Sequence, residues 1–203
     1  IKPNITLEDM DGMVKATITQ VLEVVPEHLT AKPNITLEDF EGIVTAVVEQ
    51  KVTELEQVKV APAVTLENIS ETVTATIKQE VVFEDGELTI TPNVKLEDFE
   101  GMVTAVITQQ VTEPDNVTVN PNVTLNDVDG IVKAVITQVV EMTPVMLAAE
   151  PNITLEDYKG MVTATVTQEV EALPEMEVVP NVTVSDLHET VKAIITQEVE
   201  FVD

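Results

Sequence analysis

The chain contains no cysteine, no tryptophan and no arginine. Without cysteine, neither disulfides nor thiolate-bound metals can hold the fold together, although the compartment stays open because many secreted proteins also lack it. Aromatic residues make up only 2% of the sequence, against 44% apolar residues overall. The core must therefore be thin and aliphatic, built from Val, Ile, Leu, Ala and Met. No apolar run approaches the roughly 18 residues of a spanning helix, no signal-peptide pattern is present, and the aromatic girdles of a membrane barrel are missing. No membrane insertion is expected. Basic residues are also scarce: ten Lys stand against 37 Asp and Glu, for a net charge of −27. That balance disfavours nucleic acid and anionic lipid as partners. It favours solubility and suits a salty or divalent-rich medium, where such charge is screened.

What fills the chain instead is one phrase written seven times. Pro-Asn-(Ile/Val)-Thr-Leu-Glu-Asp-x-x-Gly-x-Val-x-Ala-x-(Ile/Val)-x-Gln opens at Pro3, Pro33, Pro62, Pro92, Pro121, Pro151 and Pro180, in alternating steps of 30 and 29 residues. A period of this length marks a stacked architecture in which each unit contacts mainly its neighbours. A longer period lies above it. Offset by 118 residues, Ile1–Asp85 overlays Val119–Asp203 without a gap and with about half the positions identical. The chain thus divides into a four-unit block, residues 1–118, and a second, incomplete block, residues 119–203. It begins, without Met, and ends within the variable part of the unit, as expected of a window on a longer protein or of a processed one.

Each unit reads as strands and turns. Val103, Ala105 and Ile107 share one face while Thr104, Val106 and Thr108 share the other, the period of two of a strand with one buried face. Upstream, Val94 and Leu96 alternate with Lys95 and Glu97. Between the two arms lies Asp98-Phe99-Glu100-Gly101, where Asp can open a type I turn and Gly can take a left-handed position that closes a hairpin. Units three and seven carry Glu71 and Glu189 in place of that Gly. Further turn residues mark the variable segments at Glu84–Glu87, Glu113–Asn116 and Leu173–Met176. The fold class expected is all-β, with seven tandem two-strand repeats of about 29.5 residues. A meander of hairpins packed as a sandwich or closed sheet is the preferred arrangement. The alternative is a β-solenoid of about 30 residues per coil with the recurrent Pro at a corner.

The residue after the turn Asp is always apolar: Met10, Phe40, Ile69, Phe99, Val128, Tyr158 and Leu187. Packing against the adjacent unit accounts for this; a row of knobs for a partner is the other reading. Acids gather at the turns, with Asp9, Asp11, Asp39, Glu41, Asp98, Glu100, Asp127, Asp129 and Asp157 as candidate ligands. Hard cations such as Ca2+ want clustered carboxylate oxygens, but the remaining ligands of a full calcium loop are missing. A solvated acidic edge is the simpler account, and no other cofactor is indicated. Formal N-glycosylation acceptors stand at Asn4, Asn34, Asn68, Asn116, Asn122, Asn152 and Asn181, although copies within a repeat are not independent of one another. Thr-x-Thr pairs such as Thr17/Thr19, Thr74/Thr76 and Thr163/Thr165/Thr167 resemble ice-binding arrays, yet Thr is an ordinary residue on the solvent face of a strand. His28 and His188 occupy different repeat positions and suggest no shared site.

No constellation of unlike residues suits catalysis, so no enzyme is expected. The expected role is a non-enzymatic extracellular or cell-surface structural or adhesive protein that assembles with copies of itself, head to tail, into a filament, fibre or sheath through edge-strand pairing. The alternative is a surface repeat module that binds glycans or divalent cations.

Overall fold

The computed structural model describes residues 1–23, 29–53, 57–82, 87–112, 116–141, 146–172, 176–186, 188 and 190–201. Long strands alternate with short ones along the chain. In order they are β1 (Asn4–Glu23), β2 (Leu29–Ala31), β3 (Asn34–Thr53), β4 (Gln57–Val60), β5 (Ala63–Val82), β6 (Glu87–Ile90), β7 (Asn93–Thr112), β8 (Asn116–Val119), β9 (Asn122–Glu141), β10 (Met146–Ala149), β11 (Asn152–Ala172), β12 (Glu177–Val178), β13 (Asn181–Val184) and β14 (Thr190–Phe201). The long strands stack in parallel as β1-β3-β5-β7-β9-β11, with β13 and β14 completing a seventh rung on β11. The short strands form a second parallel sheet, ordered β12-β10-β8-β6-β4-β2.

This is a β-solenoid of about six turns: six units each contribute a long and a short strand, and the seventh adds a last long rung. The pairing is in repeat register: Asn4 lies beside Asn34, Gly12 beside Gly42 and Gln20 beside Gln50, and the same match recurs up the stack. Parallel neighbours need a long connection between them, and here the remainder of each coil provides it. The all-β repeat and the solenoid alternative are therefore observed, and the hairpin sandwich is not. The ladder continues through residues 118 and 119, because β8 pairs with β10 and β7 with β9. The variable-segment turns around Glu84, Pro114 and Pro174 lie outside the described residues.

The solenoid differs from a hairpin meander at the Asp-x-x-Gly segment. This segment does not reverse the chain but bends one long strand into two arms. Asp9, Asp39, Asn68, Asp98, Asp127, Asp157 and Asp186 hold φ of 46–53°, a left-handed conformation that Asp and Asn tolerate better than other side chains. The Gly three residues on holds φ of +132° at Gly42 and +133° at Gly101. A Cβ on Gly42 would run into the carbonyl oxygen of Gly12 on the rung below, and one on Gly101 into that of Glu71. In unit three Glu71 keeps the corner at φ +91°, so the register survives the loss of Gly at the cost of local strain. In unit seven Glu189 lies outside the described residues.

Pro sits at the opposite corner, between short strand and first arm. Its missing N–H falls where no rung donor is needed, while its carbonyl stays in the ladder: Asn34 N–H donates to Pro3 O at 3.0 Å and Ala63 N–H to Pro33 O at 2.8 Å. Inside the coil the period-two faces close on two aliphatic clusters. One joins the first arm to the second and includes Ile35, Leu37, Phe40, Val44, Ala46 and Val48. The other joins the end of the long strand to the short strand through Val52, Val58 and Val60.

Candidate functional site

Between the two clusters each coil places one glutamine on its inward face. Val14, Ala16, Ile18, Gln20 and Leu22 alternate along β1, so the same period that buries the aliphatics also buries Gln20. Among the described residues the buried polar side chains are Gln20, Gln50, Gln79, Gln109, Gln138 and Gln168 alone. They form a ladder in which each Nε2 donates to the Oε1 one rung below. Gln50 donates to Gln20 at 2.6 Å, Gln79 to Gln50 at 2.9 Å and Gln109 to Gln79 at 2.8 Å. Above them Gln138 donates to Gln109 at 3.0 Å, Gln168 to Gln138 at 2.8 Å and Gln197 to Gln168 at 3.0 Å. In the upper coils the second amide proton reaches a short-strand carbonyl, as from Gln168 to Ala149 O at 3.1 Å and from Gln197 to Val178 O at 2.9 Å. Burying an amide without partners costs roughly 1–3 kcal/mol in proteins, and this ladder removes that cost while joining every coil to the next. The signal for these residues in the sequence is an invariant polar residue on a buried period-two face, which no candidate site above includes.

The acidic corner is exposed. Asp9, Asp39, Asp98, Asp127 and Asp157 are the left-handed residues themselves, so backbone geometry already accounts for their identity. Asp11, Glu41, Glu100 and Asp129 form a column beside them, interrupted by Ser70 and ended by Lys159. A further column, Glu8, Glu38, Glu67 and Glu97, is followed by Asn126. Asn68 Nδ2 donates to Asp39 Oδ1 and so replaces a repulsion with a hydrogen bond. Among the described residues no three or more acidic, His or Cys side chains converge to hold a metal ion.

The Asn-x-Thr motif forms isolated rung-to-rung pairs on the outer face of the first arm, and the Oδ1 atoms of Asn34, Asn93 and Asn152 are buried without a partner. Asn34 Nδ2 donates to Asn4 Oδ1 at 3.3 Å and to Thr36 Oγ1 at 2.9 Å, and Asn152 repeats the pattern with Asn122 and Thr154. The nitrogen that would carry a glycan is engaged and half-buried at Asn34, Asn122 and Asn152. Asn4, Asn68 and Asn181 are exposed, and Asn116 is half-buried in β8. Phe40, Ile69, Phe99, Val128 and Tyr158 point into the core, while Met10 is half-exposed on the first coil. Tyr158 Oη lies 2.9 Å from the Met161 carbonyl oxygen and also meets that of Gly130. Leu187 and His28 lie outside the described residues, and His188 is exposed.

The outer face of the second arm stacks Thr45, Thr74 and Thr104 in one column and Thr108, Thr137, Thr167 and Thr196 in another, broken elsewhere by Lys133, Lys192, Glu49 and Lys78. Two crossed ion pairs tie the second rung to the third, Lys51 to Glu80 at 3.0 Å and Lys78 to Glu49 at 3.5 Å. Directly after the corner glycine runs an exposed apolar column of Met13, Ile43, Met102, Ile131 and Met161, with Thr72 between Ile43 and Met102.

The two ends of the stack differ from its middle. Ile5, Leu7 and Val14 are only partly buried, whereas Ile35, Leu37 and Val44 one rung higher are fully buried. At the other end Val182, Val184, Val191 and Val199 are partly buried and Ile195 is 48% exposed. The inward side chains of the first and last described rungs are thus less covered than those between them. No protein-family model matches the chain, and neither does any curated protein or solved structure.

Proposed function

We propose that this chain is a non-enzymatic structural repeat protein of the extracellular space or cell surface, whose solenoids stack head to tail into a filament, fibre or sheath. The observation that carries this reading is the match between the two ends. The first long strand, β1, and the last long rung, β13 with β14, have the strand direction and apolar pattern of adjacent rungs inside the long-strand sheet. Stacking one copy on another continues the long-strand sheet, covers side chains each worth on the order of 1 kcal/mol, and satisfies edges that would otherwise invite uncontrolled pairing. The contact is heterologous, so it propagates when the rotation does not close. The recurrent polar residues support a structural role, since Asp serves the left-handed corner, Gln serves the ladder, Asn bonds the Thr two residues on, and Gly admits the close rung below. Placement outside the cell rests on the Asn-x-Thr acceptors and the strongly acidic surface.

Negative-stain electron microscopy of the purified chain, with calcium and with chelator, tests the reading. Uniform fibres of one-coil width are expected in both conditions. Fibres lost on chelation would assign the acidic corner an ion-bridging role, and discrete monomers at every concentration and condition would overturn the assembly.

A further inference from the structure

We infer that the corner edge of the second arm is a docking surface for a second copy of this chain, with the two solenoids side by side and their rungs running the same way. The surface lies along the length of the stack, away from the coil ends, and holds whether or not those ends stack. Three columns on the outer side of the coil carry it. The middle one is the apolar column Met13, Ile43, Met102, Ile131 and Met161, whose members are 47–83% exposed. In β3, β5, β7, β9 and β11 every exposed large apolar side chain among the described residues belongs to this column. Met102, Ile131 and Met161 stand on three successive rungs and form a contiguous apolar strip. Thr72 holds the same place in β5 with the register intact, so folding does not require an apolar residue there. Two residues back stand Asp11, Glu41, Ser70, Glu100, Asp129 and Lys159; two residues on stand Lys15, Thr45, Thr74, Thr104, Lys133 and Thr163. Glu41, Ile43 and Thr45 alternate with the buried Gly42 and Val44, which puts all three columns on the outer side.

The two flanks complement each other. A twofold axis along the apolar column sets that column against itself and each flank against the opposite flank of the second copy, rung by rung. Lys15 then faces Asp11 of the other copy, and Lys133 faces Asp129. Thr45 and Thr104 bring hydroxyl donors to Glu41 and Glu100, and no carboxylate of these columns faces another. Antiparallel solenoids with their apolar strips aligned would set Asp129 on Asp129 and Lys133 on Lys133, which like-charge repulsion disfavours. A basic partner would meet the lysines and an acidic one the carboxylates, whereas a second copy meets both with their opposites. The apolar centre and charged borders have the anatomy of a protein interface. At ~6.6 Å between columns and ~4.8 Å between rungs, three columns over six rungs cover roughly 600 Å² per copy, below the ~800 Å² of a standard contact. Single copies therefore pair at high protein concentration and part on dilution. The contact is isologous, so it closes on two copies.

Cross-linking tests this directly, because the chain has no cysteine of its own. Met102→Cys puts one thiol beside the axis of the pair, so a bismaleimide that spans faces ~10 Å apart joins the two copies. End-to-end stacking does not bring residue 102 of two copies together. Lys59→Cys, exposed on the outer side of the short-strand sheet, is the control for chance collision. At high protein concentration and physiological salt, where distant charges are screened, Met102→Cys is expected to form cross-linked dimer about tenfold faster than the control. Adding Lys133→Glu should bring that rate down to the control, since Glu then faces Asp129 twice in each pair. Adding Asp129→Lys as well exchanges the charges and should restore the rate; Lys159 already stands at that position one rung on. Ile131→Thr with Met161→Thr, each copying Thr72, should slow the cross-link while keeping the wild-type circular dichroism. Met102→Cys that links no faster than the control, or a loss in Lys133→Glu that Asp129→Lys does not restore, would overturn the inference. Fibres that form without the cross-link would overturn side-by-side pairing and leave end stacking in place. Cross-linked pairs from a chain that never forms fibres would uphold this contact and overturn end stacking.

Discussion

Gln20, Gln50, Gln79, Gln109, Gln138 and Gln168 stack inside the coil, while Glu8, Glu38, Glu67 and Glu97 stack on its outside at the same spacing of one rung. Both columns arise because duplication places like on like. Glutamine carries a donor and an acceptor, so a copy above and a copy below satisfy it, and burial strengthens the ladder. A carboxylate is acceptor only and charged, so each copy repels the next, and the column persists in water where the repulsion is screened. The breaks in the two columns agree with this. The described glutamine column is uninterrupted, whereas the acidic columns are relieved by Asn68, Ser70, Asn126 and Lys159. Repetition therefore specifies structure where the repeated group is complementary to itself and must be diluted where it is not.

The comparison can be broken most severely by putting the outer chemistry inside. Gln109→Glu places a carboxylate at a fully buried rung, and at neutral pH a loss of about 4 kcal/mol or more is expected. The sign with pH follows from burial raising the folded-state pKa of the new carboxyl above its unfolded value of about 4.3. The unfolded state then releases its proton first, so the destabilisation is absent in acid and grows as pH rises through that value. Urea denaturation of variant and wild type across pH reads this directly. Gly101→Ala tests the corner between the columns. The added Cβ meets the Glu71 carbonyl, so about 3 kcal/mol should be lost whatever the pH or salt, and the same denaturation series would show it. Asn68→Asp restores an unbroken Asp column and removes the bond to Asp39. A fall in melting temperature on the order of 2 °C is expected at low salt, shrinking as salt screens the new charge.

Much of this arrangement was legible in the residues. The seven-fold phrase gave the count of long rungs, and the alternation of Val103, Ala105 and Ile107 with Thr104, Val106 and Thr108 gave the buried face. The direction of the neighbouring strand was not legible. Asp98-Phe99-Glu100-Gly101 has the composition of a hairpin turn because hairpin and corner alike need positive φ, and what separates them is pairing between residues about 30 apart, which local composition does not encode. The crossed pairing of Glu49 with Lys78 and Lys51 with Glu80 was similarly hidden until the register was known. The Asn-x-Thr motif reads equally as a glycan acceptor or a bond between rungs, and only the rung below Asn34 reveals the second use. The glutamines stood on the buried face all along, but a polar residue there carries meaning only once an identical one is known to lie directly above it.

The most direct test of that column is hydrogen exchange at the side-chain amides, read by nitrogen-edited NMR on the soluble chain. The interior ladder predicts that Nε2 protons of Gln50, Gln79, Gln109, Gln138 and Gln168 exchange orders of magnitude more slowly than those of the exposed Gln110. Uniformly fast exchange across all the glutamines would contradict it.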